Sequence, residues 1–318
     1  MVGKDNHHMK NRPYIIRNYR PKDFELLVQL VGEVGTRGEG LYSISLQDVI
    51  ESLGRPHHSP EKNLFVAEES QRIIGYVNVT PEPTIGRVVF SCLIHPECRG
   101  KGVGMELINR AIGRAGVLKV KRVHVNIPQD SISTRKLFIK MGFRFIRRFL
   151  ELRLDLSEVQ EPHMGLIGPR YRHMKSGEED KLVNIQNRSF ANTWGFHPNT
   201  TEEIVYRIGL PNCSPEDILL SYDGDKVIGY CWTRIYVGKD EDSRGGRGVI
   251  YMLGVDPDHR GKGIGKEVLL AGLSYMKSKY LRIVELTVDS KNSAALALYH
   301  SAGFRVQTRS LWYEKVLE

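Results

Sequence analysis

The chain has 318 residues, more than the roughly 100–200 of an ordinary domain, so two domains are expected. With 41% hydrophobic and 26% charged residues, no run of about 18 apolar residues and no basic-then-apolar leader, it reads as a cytoplasmic globular protein with no membrane partner. The net charge of +9 favours anionic partners, but without an aromatic RNA-binding motif or a long Lys/Arg block, nucleic acid is not the expected one. Cys92, Cys98, Cys213 and Cys231 form no CxxC pair or zinc-ligand spacing, so no metal is expected. His7 and His8 read as a tail.

In chain order, the first half opens on an amphipathic helix with Phe24, Leu27, Leu30 and Val31 on one face. Strands follow near "LFVAEE" (from Leu64) and "IIGYVNV" (from Ile73), joined by a polar turn. A third apolar strand, "RVVFSCLI" (from Arg87), runs into a glycine turn, "RGKGVG", and then a helix, "GMELINRAIGRAG". The strand "KRVHVNI", a short helix and a last strand close the unit. The stretch "DLSEVQEPHMGLIGPR" (from Asp155), polar with two prolines, marks the boundary, which gives domains 1–156 and 157–318.

The second half repeats this order through "EEDKLVNIQNRSF", "DILLSYD", "VIGYCWTRIYV", "GVIYMLGV", "GKEVLLAGLSYMKSKY" and "RIVELTV". Arg99 and Arg260 stand 161 residues apart, as do Phe143 and Phe304, so the segment between is duplicated without a gap. Gly75 and Gly229 differ by 154, which places a seven-residue insertion in the second copy at the hairpin loop "GKDEDSRGGRG". A helix between two strands makes a βαβ unit, and the fold class is α/β with a mixed sheet in each copy.

A strand entering "RGKGIG" and then a helix exposes backbone N–H groups at a helix N-terminus, and glycines let phosphate oxygens approach. Arg260 and Lys262 bring positive charge to the turn, or lie in solvent. The P-loop pattern fails because Gly265-Lys266 is followed by Glu267, and Gly261, Gly263 and Gly265 are too closely spaced for the dinucleotide fingerprint. Glu285 lies where a ribose-binding acid would, but its counterpart in the first copy is His124.

The turn also fits Arg-x-x-Gly-x-Gly/Ala. With "VDPDHRGKGIG" before a helix and "NSAALALYHSAGF" after the next strand, the chain resembles the GCN5-related N-acetyltransferase family over nearly all of both halves. The resemblance implies two tandem domains, each a mixed, mostly antiparallel twisted sheet flanked by helices, and acetyl-coenzyme A as co-substrate. It implies that Arg260, Gly261, Lys262, Gly263, Ile264 and Gly265 hold the pyrophosphate. The strand edge at Leu253, Gly254 and Val255 would bind the pantetheine arm, Asn292 would lie near that arm, and Tyr299 would face the thioester sulfur. Offset by 161, Arg99, Gly100, Lys101, Gly102, Val103 and Gly104 repeat the cradle, but Ser131 replaces Asn292 and Phe138 replaces Tyr299. Phenylalanine has no proton to donate, so the first copy reads as degenerate and catalysis is expected in the second.

The acceptor expected is the primary amine of a small molecule. A peptide or protein N-terminus is the alternative among enzymes, because "NSAALALYHSAGF" is as similar to ribosomal-protein alanine N-acetyltransferases. A non-catalytic acyl-coenzyme A-binding module is the alternative of another class. The paired arrangement resembles the mycothiol synthases, but Val249 and Thr287 stand where that group carries acceptor-binding Glu and Tyr. The loop "NTWGFHP" offers Trp194, Phe196 and His197 for an acceptor pocket, with Trp232 and Tyr251 from neighbouring strands. By chemistry alone, Glu285, Asp289, His197 and Glu203 are candidate bases.

Overall fold

The computed structural model describes residues 13–35, 46–159, 170–236 and 246–318. His7 and His8, residues 160–169 of the expected linker, residue 237 at the end of the expected strand and residues 238–245 of the inserted loop lie outside them. The chain forms two compact units that do not follow its order. Unit one comprises Met1–Ile127, Ser131–Ile146 and Trp312–Glu318, and unit two comprises Pro128–Asp130 and Arg147–Leu311. A cut between 156 and 157 therefore does not reproduce this division, which assigns Arg147 onward to unit two and returns Trp312–Glu318 to unit one.

Unit one begins with β1 (Ile15–Asn18), α1 (Phe24–Gly35), α2 (Leu46–Gly54) and α3 (Pro60–Asn63). It continues through β2 (Leu64–Glu69), β3 (Arg72–Glu82), β4 (Arg87–Ile94), α4 (Val103–Val117), β5 (Arg122–Pro128) and α5 (Ile132–Lys140). The strands lie in the order β1-β2-β3-β4-β5, antiparallel except for β4 and β5. Leu27, Leu30 and Val31 of α1 are buried against Leu64, Val66, Ile73 and Tyr76. Phe24, expected on that face, is 38% exposed, because it opens the helix before its apolar stripe meets the sheet.

The next strand, β6 (Arg144–Asp155), passes from unit one into unit two. Unit two then adds β7 (Tyr171–His173), α6 (Glu179–Phe190), α7 (Thr201–Ile208), β8 (Ile218–Asp223), β9 (Lys226–Tyr236), β10 (Arg247–Val255), α8 (Ile264–Ser278), β11 (Ile283–Asp289) and α9 (Ser293–Ser301). Its sheet runs β7-β8-β9-β10-β11-β6, parallel only between β10 and β11. The last strand, β12 (Arg305–Val316), begins in unit two and ends in unit one. Its apolar end is anchored there by Tyr313, 6.3 Å from the Phe138 ring, while the N–H of Leu317 donates to the Lys121 carbonyl.

Several local devices recur in both units. Each first strand carries an arginine that grips the acid opening the next helix: Arg17 on Asp23, and Arg172 on Glu178, both through two nitrogens. A tyrosine at the start of each first strand reaches the helix after the glycine turn: Tyr14, just before β1, donates to Glu106, and Tyr171 of β7 to Glu267. Lys119 and Tyr280, just past the ends of α4 and α8, share the left-handed conformation that stops a helix, at φ 55° and 59°. The helix α8 lies so close to β9 that a Cβ on Gly272 would stand 2.5 Å from the Cys231 sulfur.

Candidate functional site

Hydrogen bonding between β10 and β11 is confined to their beginnings. Arg247, Gly248 and Val249 pair with Ile283, Val284 and Glu285, and there the ladder stops although both strands continue, to Val255 and Asp289. Parallel strands that part in this way leave backbone N–H and C=O groups at 252–255 facing a wedge rather than a neighbour, and such groups must find a partner. The edge at Leu253, Gly254 and Val255 thus becomes available to an extended ligand. Unit one repeats the arrangement, because β4 and β5 pair only over Arg87–Val89 and Arg122–His124.

The two clefts differ in one backbone feature. In unit two the β9–β10 register slips between Ile250 and Met252, so Tyr251 is the extra residue of a β-bulge. In unit one the β3–β4 register is unbroken from Gly75/Ile94 to Glu82/Arg87. A bulge turns the strand locally and re-aims the groups beyond it. Only unit two has one here.

Beyond β10, Gly261 and Gly263 have φ of +75° and +85°. Their positions offer open space, with nothing within 4 Å of an added Cβ. Gly263 caps α8, so the N–H groups of Ile264 and Gly265 belong to a first helical turn that lacks internal partners. The concave array suits a pyrophosphate. The Arg260 guanidinium is turned away from it, donating to the Ser189 carbonyl at 2.6 Å and the Val255 carbonyl at 3.3 Å, while Lys262 reaches the Asp258 carbonyl at 3.4 Å. In unit one, Gly100 and Gly102 repeat the backbone, at φ +77° and +88°.

Asp256, just before the turn, is fully buried. Its carboxylate accepts from Arg188 at 2.9 and 3.1 Å and from the Asp258 N–H at 3.0 Å, and Lys226 stands 3.3 Å away. Bonds from Arg188 hold its pKa well below the carboxylate range despite the burial. This anchor was not singled out from the sequence, although a lone acid between an apolar strand and a glycine turn is its signal. Its counterpart in unit one is His95.

Tyr299 on α9 is 8% exposed and packs edge-on against Phe304 at 5.8 Å. Burial raises its phenol above the ordinary value. Asn292 caps α9, its side-chain oxygen accepting from the Ala295 N–H at 3.1 Å. In unit one, Phe138 sits in an aromatic cluster with Phe90, Phe143 and Tyr313, at ring distances of 6.0, 5.0 and 6.3 Å.

The expected acceptor residues separate into groups. Trp194 lies against Phe149 and beneath the Arg147 guanidinium, at 6.1 and 5.2 Å, and Arg147 is paired with Asp289 at the end of β11, at 2.7 Å. Phe196 stacks on Phe190 at 5.4 Å. Tyr251 packs beneath Arg234, 3.7 Å from the guanidinium carbon. Trp232 is fully buried, its indole N–H donating to the Cys213 sulfur at 3.2 Å. It packs in the core with Leu182 and Ile185 of α6 and Ile204 and Ile208 of α7.

Three of the four candidate bases are engaged. Glu285 pairs with Arg247 at 3.0 Å, Asp289 with Arg147, and Glu203 closes the capping box of α7 with Thr200. His197 keeps a buried Nδ1 with no hydrogen-bond partner among the described residues.

A mixed sheet parted between two parallel strands, with a glycine turn opening the intervening helix, offers a free strand edge and an anion cradle to one extended, phosphate-bearing ligand. A profile of the acetyltransferase (GNAT) family matches residues 35–143 and 180–304, and the chain belongs to that family. The mycothiol acetyltransferase of Stackebrandtia nassauensis is 28% identical over 294 residues, covering 90% of this chain and 93% of the relative. In fold, the chain is similar to a GCN5-related N-acetyltransferase from Sphaerobacter thermophilus (TM-score 0.72, 20% identity, 96% of each chain). It is also similar to a tandem GNAT protein from the clavulanic acid biosynthesis pathway (TM-score 0.71, 15% identity, 95% of this chain and 98% of that one). Among the described residues no cluster of His, Cys, Asp and Glu could hold a metal ion, and no helix is long and apolar enough to cross a membrane.

Proposed function

We propose that unit two transfers an acetyl group from acetyl-coenzyme A to the primary amine of a small molecule. The observation that carries this reading is the parting of β10 from β11 beside the Tyr251 bulge, with a buried phenol, Tyr299, on the helix that follows β11. The glycine turn would bind the pyrophosphate, and the edge at Leu253, Gly254 and Val255 the pantetheine arm. The amine attacks the thioester carbonyl, the C–S bond breaks and the sulfur leaves as a thiolate. Backbone N–H groups beyond the bulge would hydrogen-bond the developing oxyanion. Tyr299, kept protonated by burial, gives its proton to the departing sulfur and regains one from the attacking nitrogen, which sheds it as the amide forms. His197 would take the proton from the incoming ammonium, because the other candidates are held in ion pairs or a helix cap.

The relatives named mycothiol acetyltransferases favour a small-molecule acceptor. Val249 and Thr287, at the positions where the mycothiol synthases carry acceptor-binding Glu and Tyr, argue for a different one, because a site built for other hydrogen bonds discriminates strongly. Unit one, with Phe138 locked in its aromatic cluster and no bulge, does not turn over substrate in this reading. The test is Tyr299→Phe in the full chain: turnover falls about 100- to 10,000-fold with unaltered acetyl-coenzyme A affinity. Undiminished turnover would refute the assignment. A panel of small amines and peptide N-termini, assayed with acetyl-coenzyme A, identifies the acceptor.

A further inference from the structure

Gly254 pairs with Tyr230 across β9 and β10, so the two residues face the same side of the sheet. A Cβ on Gly254 would stand 2.6 Å from a ring carbon of Tyr230, and 2.8 and 2.9 Å from the Cβ and Oγ of Ser189. Glycine is required here because two side chains, one from β9 and one from α6, converge over its Cα. Both hydroxyls are buried, and neither has a hydrogen-bond partner among the described residues. Buried, unpaired hydroxyls are costly and call for an explanation. Their side chains meet over Gly254, in the part of β10 that β11 leaves unpaired.

We infer that Tyr230 and Ser189, whose side chains converge over Gly254, form a subsite of unit two whose hydroxyls hydrogen-bond the acyl end of the thioester substrate. The inference rests on the acyltransferase reading and adds two residues to it. A carbonyl oxygen is the complement of two O–H donors, and it is the polar atom the acyl group brings. Burial raises the Tyr230 phenol far above its ordinary value, so it remains a donor at any working pH. Ser189 is tied to the coenzyme turn as well, because its carbonyl accepts from Arg260 at 2.6 Å. One bond thus couples the pyrophosphate cradle to the acyl subsite.

Unit one supplies the contrast. Its β3 keeps the tyrosine, as Tyr76, but the counterparts of Ser189 and Gly254 are Val34 and Leu93. Both pack with Tyr76 in the apolar core of that unit. The polar socket therefore occurs in the copy that also has Tyr299 and the bulge.

The test is calorimetry on the full chain with acetyl-coenzyme A and with free coenzyme A, for the parent, Tyr230→Phe and Ser189→Ala. Tyr230→Phe is expected to weaken acetyl-coenzyme A about 3- to 10-fold, the effect of one lost hydrogen bond, and to leave free coenzyme A unchanged. Its melting temperature should hold or rise by about 2–4 °C, since an unsatisfied hydroxyl is removed. Ser189→Ala should follow the same pattern. If both variants keep the parent's ratio of the two affinities, or Tyr230→Phe melts well below the parent, the subsite is overturned and the acyltransferase reading stands. A parent that binds neither compound overturns both.

Discussion

Replacing Asp256 tests how the glycine turn is anchored. Its carboxylate is buried and takes hydrogen bonds from Arg188 at 2.9 and 3.1 Å and from the Asp258 N–H at 3.0 Å, with Lys226 at 3.3 Å. A charge-assisted bond contributes about 1.5–3 kcal/mol and a backbone cap about 1 kcal/mol. The gross loss is reduced because the Arg188 and Lys226 side chains are 50% and 52% exposed and return to water when the acid is gone. Asp256→Ala should therefore cost about 2–4 kcal/mol of stability at pH 7. The sign with pH follows from the direction of the shift. The folded carboxyl titrates below its unfolded value, so its contribution is complete above about pH 4 and is lost as the pH falls toward the folded pKa. Urea unfolding followed by circular dichroism at pH 7 and pH 3 gives both quantities. A variant within about 0.5 kcal/mol of the parent at pH 7, or a difference that does not shrink on acidification, would refute the reasoning.

Burial of Tyr299 predicts that turnover at saturating substrate shows no decline from its ionisation near pH 10, the ordinary phenol value; a fall centred there in initial rates, absent from Tyr299→Phe, would count against the assignment. Phe138→Tyr should create no activity in unit one, because no bulge re-aims β4, so a Phe138→Tyr/Tyr299→Phe double variant should remain as slow as Tyr299→Phe alone. Tyr280→Gly should stabilise the chain by about 1 kcal/mol, since an exposed tyrosine there is held left-handed at φ 59°; a lowered urea midpoint would contradict this. Gly272→Ala should destabilise by about 1–3 kcal/mol, because its Cβ would meet the Cys231 sulfur at 2.5 Å; unchanged unfolding would show that α8 moves freely on the sheet.

What the sequence disclosed was local in origin. The glycine turn is legible because its positive φ angles demand glycine at Gly261 and Gly263. The helix after it is legible from apolar spacing, and the repeat from a constant offset between Arg99/Arg260 and Phe143/Phe304. Features that depend on distant partners stayed hidden. The direction of the Arg260 side chain is set by a carbonyl 71 residues earlier. An aromatic run such as "GYCWT" does not say that Trp232 faces the core while Tyr251 forms a bulge. The short strands β1 and β7 carry too few residues to show a period, yet each supplies the arginine that pins the next helix.

The division of β12 between the units has a consequence for biosynthesis. A ribosome delivers Met1–Ile127 first, yet the unit that contains them also requires Trp312–Glu318, which emerge after everything in unit two. Tyr313, the ring that stacks on Phe138, is among those late residues. The half translated first therefore completes its fold last, and a stop codon just before Trp312 would injure the leading unit while leaving every residue of the other in place. Gene fission at the repeat boundary would yield two incomplete products, so duplication has produced partners that can no longer be inherited apart.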